Sequence, residues 1–442
     1  MKRVAASVIC LLCATVLRSA EPPHTEITKW QDGKQACVSI TYDDSTLNQF
    51  RIAVPLMNER HLPGTFFVIT GDIRGSKNQP NFVGRPVMEI IRESEGAGTT
   101  KENLFERLSM LNYLQTIQRV RELRGFDVQR LTRFIQQGNV VEVAKVIDPL
   151  LAALRQSGGR WPTKSSGGEK RYTLSWDDLR RTAAEGHEMA NHTISHPFMP
   201  ALDEANIVYE LEKANEDILE QMGPKHTFTA EIPYGIDDKR VSRIFAPRFP
   251  VARNWVTDDF MEGFMRSNHR DPAESEREYV QWQRGSSSHT TREMIKEWID
   301  KSNEHGIWLV LIFHGVEGIG YEPVTTDLLR DCFDDIVDHQ RTMWAATYQD
   351  GTKYVRERMN STVKTNLSDD TIEVTVSHSL DKKLYDLPLT ARTAIPADWK
   401  VVRFKQGADV RWAPIHREGD SSYVMYRIAP DGTVATLDKG RN

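Results

Sequence analysis

Four short segments of the sequence carry polar residues of the kinds that perform acid–base and metal chemistry. They are TYDD at 41–44, HTISHP at 192–197, IPYG at 232–235 and IFHG at 312–315. The first and the last come directly after apolar, β-rich runs, so both are expected at the ends of buried strands. In a barrel of parallel strands, such ends meet at one edge, where active sites form. We therefore expect the four segments to share one site.

One carboxylate and two imidazoles in these segments form a candidate metal-ligand set. Asp44, His192 and His196 offer three ligands of the types that bind zinc, leaving a fourth position open for water. The histidines are four residues apart, but Pro197 follows His196 and disfavours a helical conformation there. They are therefore expected to reach a metal from a turn after a strand. Because H-x-x-x-H also occurs by chance, this spacing alone does not establish a metal site.

Asp43 and Asp44 are adjacent carboxylates at the end of the run VSITY. Inside a regular strand their side chains would point to opposite faces, and two neighbouring anions repel each other. A helix N-cap pair would be an ordinary explanation for the two residues. At a strand end, however, the backbone leaves the pleat, and both carboxylates can then turn towards one site.

The elements that must position these residues alternate between strand and helix. ACVSITY, TFFVIT and WLVLIF are predicted strands, and apolar residues three or four apart predict the helices between them. This alternation favours parallel strands in an α/β domain over 21–360, with a helical insertion at about 80–170. From 361 to 442, β-rich segments separated by Gly, Pro and Asp turns predict a small all-β module of the sandwich type.

The first twenty residues have the pattern of a secretory signal peptide. A basic start precedes an apolar stretch from Val4 to Leu17, which is short for a membrane span. We therefore expect removal of residues 1–20 and a secreted or periplasmic protein with no stable membrane insertion. An uncleaved anchor is the alternative. Of the four cysteines, only Cys37 and Cys332 lie beyond this segment, and they are expected to be buried free thiols.

The composition is that of an ordinary globular protein. The chain has 442 residues, of which 39% are hydrophobic and 27% charged, and its formal net charge is -5. It contains no basic block. The composition therefore argues against nucleic acid as a partner.

The four motifs, taken together and in this order, resemble those of the polysaccharide deacetylases, which form carbohydrate esterase family four. That family has T-[FY]-D-D, H-[ST]-x-x-H-P, R-x-P-[YF]-G-like and hydrophobic-x-H motifs, and this chain has TYDD, HTISHP, EIPYG and LIFH. GTFFVI at 64–69 and EGHEMANHT at 185–193 also resemble the family. The resemblance implies a distorted (β/α)7 barrel.

The resemblance also implies a role for each matched residue. Asp44, His192 and His196 would bind Zn2+ or another divalent transition metal. Asp43 would be the general base that takes a proton from metal-bound water, and His314 would be the general acid. The backbone amide of Tyr234 would stabilise the oxyanion. The implied substrate is an acetylated polysaccharide or oligosaccharide, with N-acetyl groups favoured over O-acetyl groups.

One position departs from the family pattern. Glu231 stands where the family has an arginine that orients the base, and a carboxylate cannot donate those hydrogen bonds. Arg240, Arg243 or Arg253 could replace it. Glu231 and the C-terminal β module also motivate an alternative function, a catalytically impaired glycan-binding protein on the same scaffold. The partner of the acid His314 is also open, with Asp258 and Asp259 as candidates.

Two groups of aromatic residues could contact a sugar. Trp282 lies in the polar segment YVQWQRGSSSH and is a candidate for facing the substrate. The C-terminal module has four aromatic residues that could form a platform for carbohydrate. Packing inside the module is the favoured interpretation for all of them, which are Trp399, Trp412, Tyr423 and Tyr426.

Overall fold

The computed structural model of the chain describes residues 23–117, 128–159, 174–235, 238–253, 264–267, 277–419 and 421–440. These residues form two compact units. An α/β unit comprises 29–360 and 380–387, and a β unit comprises the remaining described residues. Strand β1 (Thr25–Ile27) belongs to the β unit, because it pairs with a strand near residue 391.

The α/β unit is built on a sheet of nine parallel strands among the described residues. In spatial order they run β6-β5-β4-β3-β2-β9-β8-β7, with β10 beside the first half of β2. Their bounds are β2 Ala36–Tyr42, β3 Gly64–Val68, β4 Glu188–Asn191, β5 Thr229–Ala230, β6 Val251–Ala252, β7 Phe264–Ser267, β8 Tyr279–Gly285, β9 Trp308–Phe313 and β10 Met343–Ala345. The prediction of an α/β fold with parallel strands is confirmed, although nine strands replace the expected seven.

The sheet is curled in the manner of half a barrel. The side chain of Arg253, directly after β6, lies 2.7 Å from Asp43, directly after β2. These strands are four positions apart in the sheet, which would separate them by about 19 Å if it were flat. The curl therefore brings distant strand ends into contact. Every residue of β2 is buried, as expected for a parallel strand covered on both faces.

The register of the strands aligns the ends that carry the four motifs. Tyr42 at the end of β2 pairs with Phe313 at the end of β9, so Asp43 and His314 follow side by side. Asn191 at the end of β4 pairs with Ala230 at the end of β5, so His192 and Glu231 do the same. The prediction that the motifs meet at the carboxyl edge of the sheet is confirmed.

Helices cover the sheet and form the expected insertion. The helix after β2 begins with a π-helical turn, Gln49–Ala53. The helices are α1 Val54–Asn58, α2 Val87–Glu93, α3 Leu104–Ile117, α4 Val128–Gln136, α5 Val140–Gln156, α6 Trp176–Ala184, α7 Glu204–Met222, α8 Lys239–Phe245, α9 Arg292–Glu304, α10 Thr326–Asp338 and α11 Tyr348–Met359. Helices α2–α5 constitute the insertion and share an apolar cluster. No helix in the described part of the chain is long and apolar enough to cross a bilayer.

The apolar core of the α/β unit contains both remaining cysteines. Cys37 on β2 and Cys332 on α10 are buried free thiols, so that prediction is confirmed. Trp282 on β8 is only 7% exposed and packs in the same core. The expectation that Trp282 faces a sugar was therefore wrong.

The β unit is a sandwich of two antiparallel sheets. One sheet has the order β1-β13-β17-β16 and the other β11-β12-β18-β14-β15. Phe404 on β14 packs against Tyr426 on β17 with ring centroids 4.9 Å apart, which joins the two inner faces. The bounds are β11 Thr362–Ser368, β12 Thr371–Ser377, β13 Leu389–Ile395, β14 Val402–Gln406, β15 Asp409–Ala413, β16 Ile415–Glu418, β17 Ser421–Ile428 and β18 Ala435–Lys439.

Candidate active site

The two adjacent aspartates turn towards one site because the backbone leaves the strand after Asp43. Asp44 has φ 70° and Ser45 has φ 50°, so the chain enters the left-handed region directly after β2. The Oδ1 atom of Asp44 then lies 3.7 Å from His192 Nε2 and 3.5 Å from His196 Nε2. The turn therefore points the two carboxylates in different directions, and it is Asp44 that faces both histidines of the HTISHP motif.

Asp44, His192 and His196 lie close enough together that they could hold a divalent cation. Their ligand atoms lie within 4.8 Å of one another. His192 Nδ1 is 3.1 Å from the carbonyl oxygen of Glu231. A carbonyl only accepts, so Nδ1 carries the proton and Nε2 presents its lone pair to the site. One carboxylate and two imidazoles are a donor set suited to zinc and similar metals.

A buried glutamate fixes the loop that carries the two histidines. Glu210 on α7 accepts hydrogen bonds from the amides of Ile194 and Ser195 at 2.9 and 3.0 Å, and from the Ser195 hydroxyl at 2.7 Å. His196 has φ 57°, so it lies outside the right-handed helical region, as the following proline predicted. Its amide is bonded to the Thr193 hydroxyl. The fold therefore holds the loop that carries His192 and His196 in this geometry.

Asp43 is oriented by an arginine that follows β6, a strand four positions away in the sheet. Arg253 donates to the two carboxylate oxygens of Asp43 at 2.7 Å each, and to the Thr41 hydroxyl at 2.9 Å. Its guanidinium also lies 3.0 Å from Glu231. Strand pairing explains this second contact, since the residues before Glu231 and Arg253 are partners in β5 and β6. Glu231 thus pairs with Arg253, and Arg253 makes the contact with Asp43 that was expected of the family arginine.

The same cluster sets the charge of the two buried carboxyl groups. Burial alone would raise the pKa of Asp43, but the Arg253 guanidinium and then the His314 imidazole hold it at about 2. Burial raises the pKa of Glu231, because Arg253 compensates only in part and Asp43 adds a like charge. At neutral pH Asp43 is therefore a carboxylate, which is the form that can accept a proton.

His314 lies on the other side of Asp43. Its Nε2 is 3.4 Å from Asp43 Oδ2. The side chain of Gln49 donates to the carbonyl oxygens of both Asp43 and His314, at 2.7 Å for the latter, and so ties the two strand ends together. Among the described residues His314 Nδ1 has no hydrogen-bond partner. The predicted partners Asp258 and Asp259 lie outside the described residues.

Tyr234 lies in a tight turn after β5, over the metal-ligand set. It has φ 63°, and its side chain is 49% exposed. The ring centroid is 4.6 Å from that of His196 and 5.9 Å from that of Phe198. The tyrosine side chain, and not only its backbone, therefore borders the site.

Left-handed backbone is concentrated around this site. Non-glycine residues rarely adopt positive φ, and each such residue costs on the order of 1–3 kcal/mol unless the surroundings hold it. Half of the ten that the described residues contain are at the site, namely Asp44, Ser45, Thr193, His196 and Tyr234. Such strain persists where the surrounding structure over-determines it, which is typical of functional sites.

The structure decides between the three arginines and adds residues that the sequence did not reveal. Arg240 donates to the carbonyls of Leu202 and Pro200, and Arg243 pairs with Glu204, so neither reaches Asp43. Gln49 and Glu210 were not predicted. In the sequence, each is only a polar residue at a helix position where an apolar residue is expected. Such residues are too common to identify a site.

The comparisons with known proteins agree with the arrangement of motifs. The polysaccharide deacetylase family profile matches residues 130–246, which include HTISHP and IPYG. A gellan lyase from Bacillus sp is 21% identical over 276 residues, which are 58% of this chain and 11% of that protein. A chitooligosaccharide deacetylase from Rhizobium leguminosarum bv. trifolii is 49% identical over 43 residues, or 10% of this chain and 20% of that protein. The chain thus spans a fifth or less of the length of these curated relatives.

A solved structure covers more of the chain at lower identity. It is a family 4 carbohydrate esterase from Streptomyces lividans in complex with acetate, with 10% identity and a TM-score of 0.34 over 71% of this chain and 93% of that one. The likeness to the family depends on the sequence matches and on the four motifs, which the fold brings to one edge. Over the residues that the profile matches, the chain is similar to the polysaccharide deacetylases.

Proposed function

We propose that this protein is a metal-dependent hydrolase that removes acetyl groups from a glycan, with N-acetyl groups favoured over O-acetyl groups. The observation that carries the proposal is the pairing of two adjacent carboxylates with different partners. Asp44 faces His192 and His196, whereas Asp43 faces Arg253 and His314. A cation site beside a separately oriented base is what amide or ester hydrolysis requires.

Asp44, His192 and His196 would hold the cation, and zinc fits this donor set. When bound, the cation would supply positive charge beside the reacting carbonyl and would make water more acidic. The chain supplies the remaining groups. Each of them is positioned by contacts that the fold provides.

Asp43 acts as general base in this scheme. Arg253 fixes the plane of its carboxylate through two parallel hydrogen bonds, and further lone pairs on the oxygens stay free to accept a proton. The water that attacks the acetyl carbonyl loses its proton to Asp43. The amide of Tyr234 is proposed to donate to the carbonyl oxygen as negative charge develops there.

His314 acts as general acid. Its Nε2, which lies 3.4 Å from Asp43 Oδ2, is on the same side of the site as the base. From that position it donates a proton to the departing amine or alcohol as the bond to the acetyl carbon breaks. Gln49 keeps base and acid at a fixed spacing, because it holds both of their backbone carbonyls.

The alternative function, glycan binding without turnover, was motivated by Glu231 in place of the family arginine and by the C-terminal β module. Arg253 occupies the expected position on Asp43, so the loss of the motif arginine is no longer an argument against activity. We also propose that the protein is exported from the cytoplasm, because residues 1–20 have the pattern of a signal peptide.

The experiment that tests the proposal is acetate release from chitin oligomers, peptidoglycan fragments and acetylated xylan. Each substrate is assayed with added zinc and with a chelator. We expect acetate release that the chelator abolishes and zinc restores. Release that persists unchanged in chelator would refute the metal-dependent mechanism, and saccharide binding without any release would favour the non-catalytic alternative.

A further inference from the structure

In the described part of the α/β unit, the two largely exposed aromatic side chains both lie at the candidate active site. Among its described residues, only Tyr234 and Tyr321 have aromatic rings that are largely exposed, at 49% and 66%. Each ring contacts a histidine of the site. Tyr234 lies against His196, and Tyr321 meets His314 edge to face with centroids 5.4 Å apart. Single exposed apolar residues are common on surfaces, but here both lie at the same place.

The loop that carries Tyr321 is tightly bonded. The Gly315 amide donates to the Tyr321 carbonyl at 2.7 Å, and the Val324 amide donates to the Gly315 carbonyl at 3.0 Å. Gly320 has φ 100°, and a Cβ there would lie 2.8 Å from the Thr46 side chain, so only glycine fits. The aromatic ring is thus presented to solvent by a fixed backbone.

A side-chain contact fixes the far end of this loop. The carboxylate of Glu322, next to Tyr321, accepts hydrogen bonds from the amide and hydroxyl of Ser288 at 3.0 and 2.6 Å. Ser288 follows β8, the neighbour of β9 in the sheet. The loop is therefore attached to two adjacent strand ends. A loop backbone held in this way loses less conformational entropy when a ligand packs on the ring that it presents.

The two tyrosines border the site from different directions. Tyr321 follows β9 and Tyr234 follows β5, and these strands are four positions apart in the curled sheet. Strand β2, which Asp43 and Asp44 follow directly, lies between those two strands in the sheet order. A ligand placed for attack by the site would therefore pass between an aromatic ring on the acid side and another on the metal side.

We propose that Tyr321 is a stacking platform for a pyranose ring of the substrate, on the side of the leaving group that His314 protonates. The inference rests on the proposed function, since it assumes that an acetylated saccharide occupies the site. One face of a pyranose carries mainly C–H bonds and packs on an aromatic ring, while the tyrosine hydroxyl remains in water. Small acetylated molecules would gain nothing from this residue. Tyr321 would therefore select an oligosaccharide.

The test measures binding, so that it does not depend on turnover. Tetra-N-acetylchitotetraose and acetylated xylotetraose are titrated by calorimetry into the zinc-loaded Asp43→Asn variant, with and without Tyr321→Ala. We expect Tyr321→Ala to weaken the Kd of the saccharide that binds by about tenfold, as for other ring-stacking contacts. Tyr321→Phe should bind as the parent does. Ile319→Ala, a change of an exposed residue in the same loop, is the matched control and should also have no effect.

Activity separates the saccharide contact from the chemistry. With Tyr321→Ala in the otherwise unchanged protein, KM for the oligosaccharide should rise by about tenfold, whereas Ile319→Ala should leave both this KM and the hydrolysis of 4-nitrophenyl acetate unchanged. An unchanged Kd, equal losses in Tyr321→Ala and Ile319→Ala, or no binding of either saccharide would overturn the inference. Absence of acetate release from the wild-type protein, with binding that depends on Tyr321, would instead refute the proposed function and leave the platform in place.

Discussion

Removing Arg253 should impair the proposed hydrolysis, because Arg253 is the residue that orients Asp43. Arg253 makes two hydrogen bonds of 2.7 Å to Asp43 and lies 3.0 Å from Glu231, and all three side chains are buried. In Arg253→Ala, both carboxylates lose their counter-charge inside the protein. Breaking a buried ion pair in this way costs about 3–5 kcal/mol. If about 3 kcal/mol of this is lost from the transition state, kcat/KM falls by about two orders of magnitude.

The assay compares acetate release and thermal unfolding for Arg253→Ala and for two further variants. Glu231→Gln leaves the contact between Arg253 and Asp43 intact, so we expect less than about a tenfold change in kcat/KM. The exchange of charges, Glu231→Arg with Arg253→Glu, returns a guanidinium to the position that the family motif uses. We expect the exchange to recover at least about tenfold of the activity lost in Arg253→Ala.

A half-buried arginine elsewhere in the α/β unit provides the control. The guanidinium of Arg240 donates to the backbone carbonyls of Leu202 and Pro200 and not to Asp43. Arg240→Ala should therefore lower the Tm without changing kcat of the folded protein. The reasoning would be refuted if Arg253→Ala kept wild-type kcat/KM, or if Arg240→Ala and Arg253→Ala lost activity equally.

Three further predictions follow from other contacts of the α/β unit. Gln49→Leu should reduce kcat by about tenfold in a folded protein, because the carbonyls of Asp43 and His314 lose their common donor, and equal activity would show that this link is dispensable. Burial raises the pKa of Glu188 to about 7, so its contribution to stability is present below about pH 4.5 and is lost as the pH rises through about 7. Glu188→Gln should therefore match the wild-type Tm near pH 5 and exceed it near pH 8.5, whereas a pH-independent difference would contradict this assignment. Burial also raises the thiol pKa values of Cys37 and Cys332, so a thiol reagent should label neither until the protein unfolds.

The sequence was sufficient to predict where the chemistry is located. TYDD and IFHG follow apolar runs that become β2 and β9, and the pairing of those strands brings Asp43 beside His314. This succeeds because parallel strands share the direction of their carboxyl ends, which makes strand-end residues neighbours regardless of separation along the chain. The four motifs could therefore be assembled without knowledge of the loops.

The residues that support the site were not predictable in the same way. Arg253 reaches Asp43 only because the sheet curls, and the degree of curl is not encoded in any local pattern. Trp282 lies in a segment that reads as polar, but its position on β8 points it into the core. Tyr321 was overlooked because a glycine-rich loop after a strand gives no indication of which side chain it presents.

The central claim is that two adjacent aspartates have separate tasks, one binding a metal and the other accepting a proton. It is tested most directly by measuring the zinc content and the acetate release of Asp43→Asn and Asp44→Asn side by side. We predict that Asp44→Asn loses both, whereas Asp43→Asn retains about one zinc per chain and loses acetate release alone. Equal zinc content in the two variants, or loss of zinc from Asp43→Asn alone, would contradict the account.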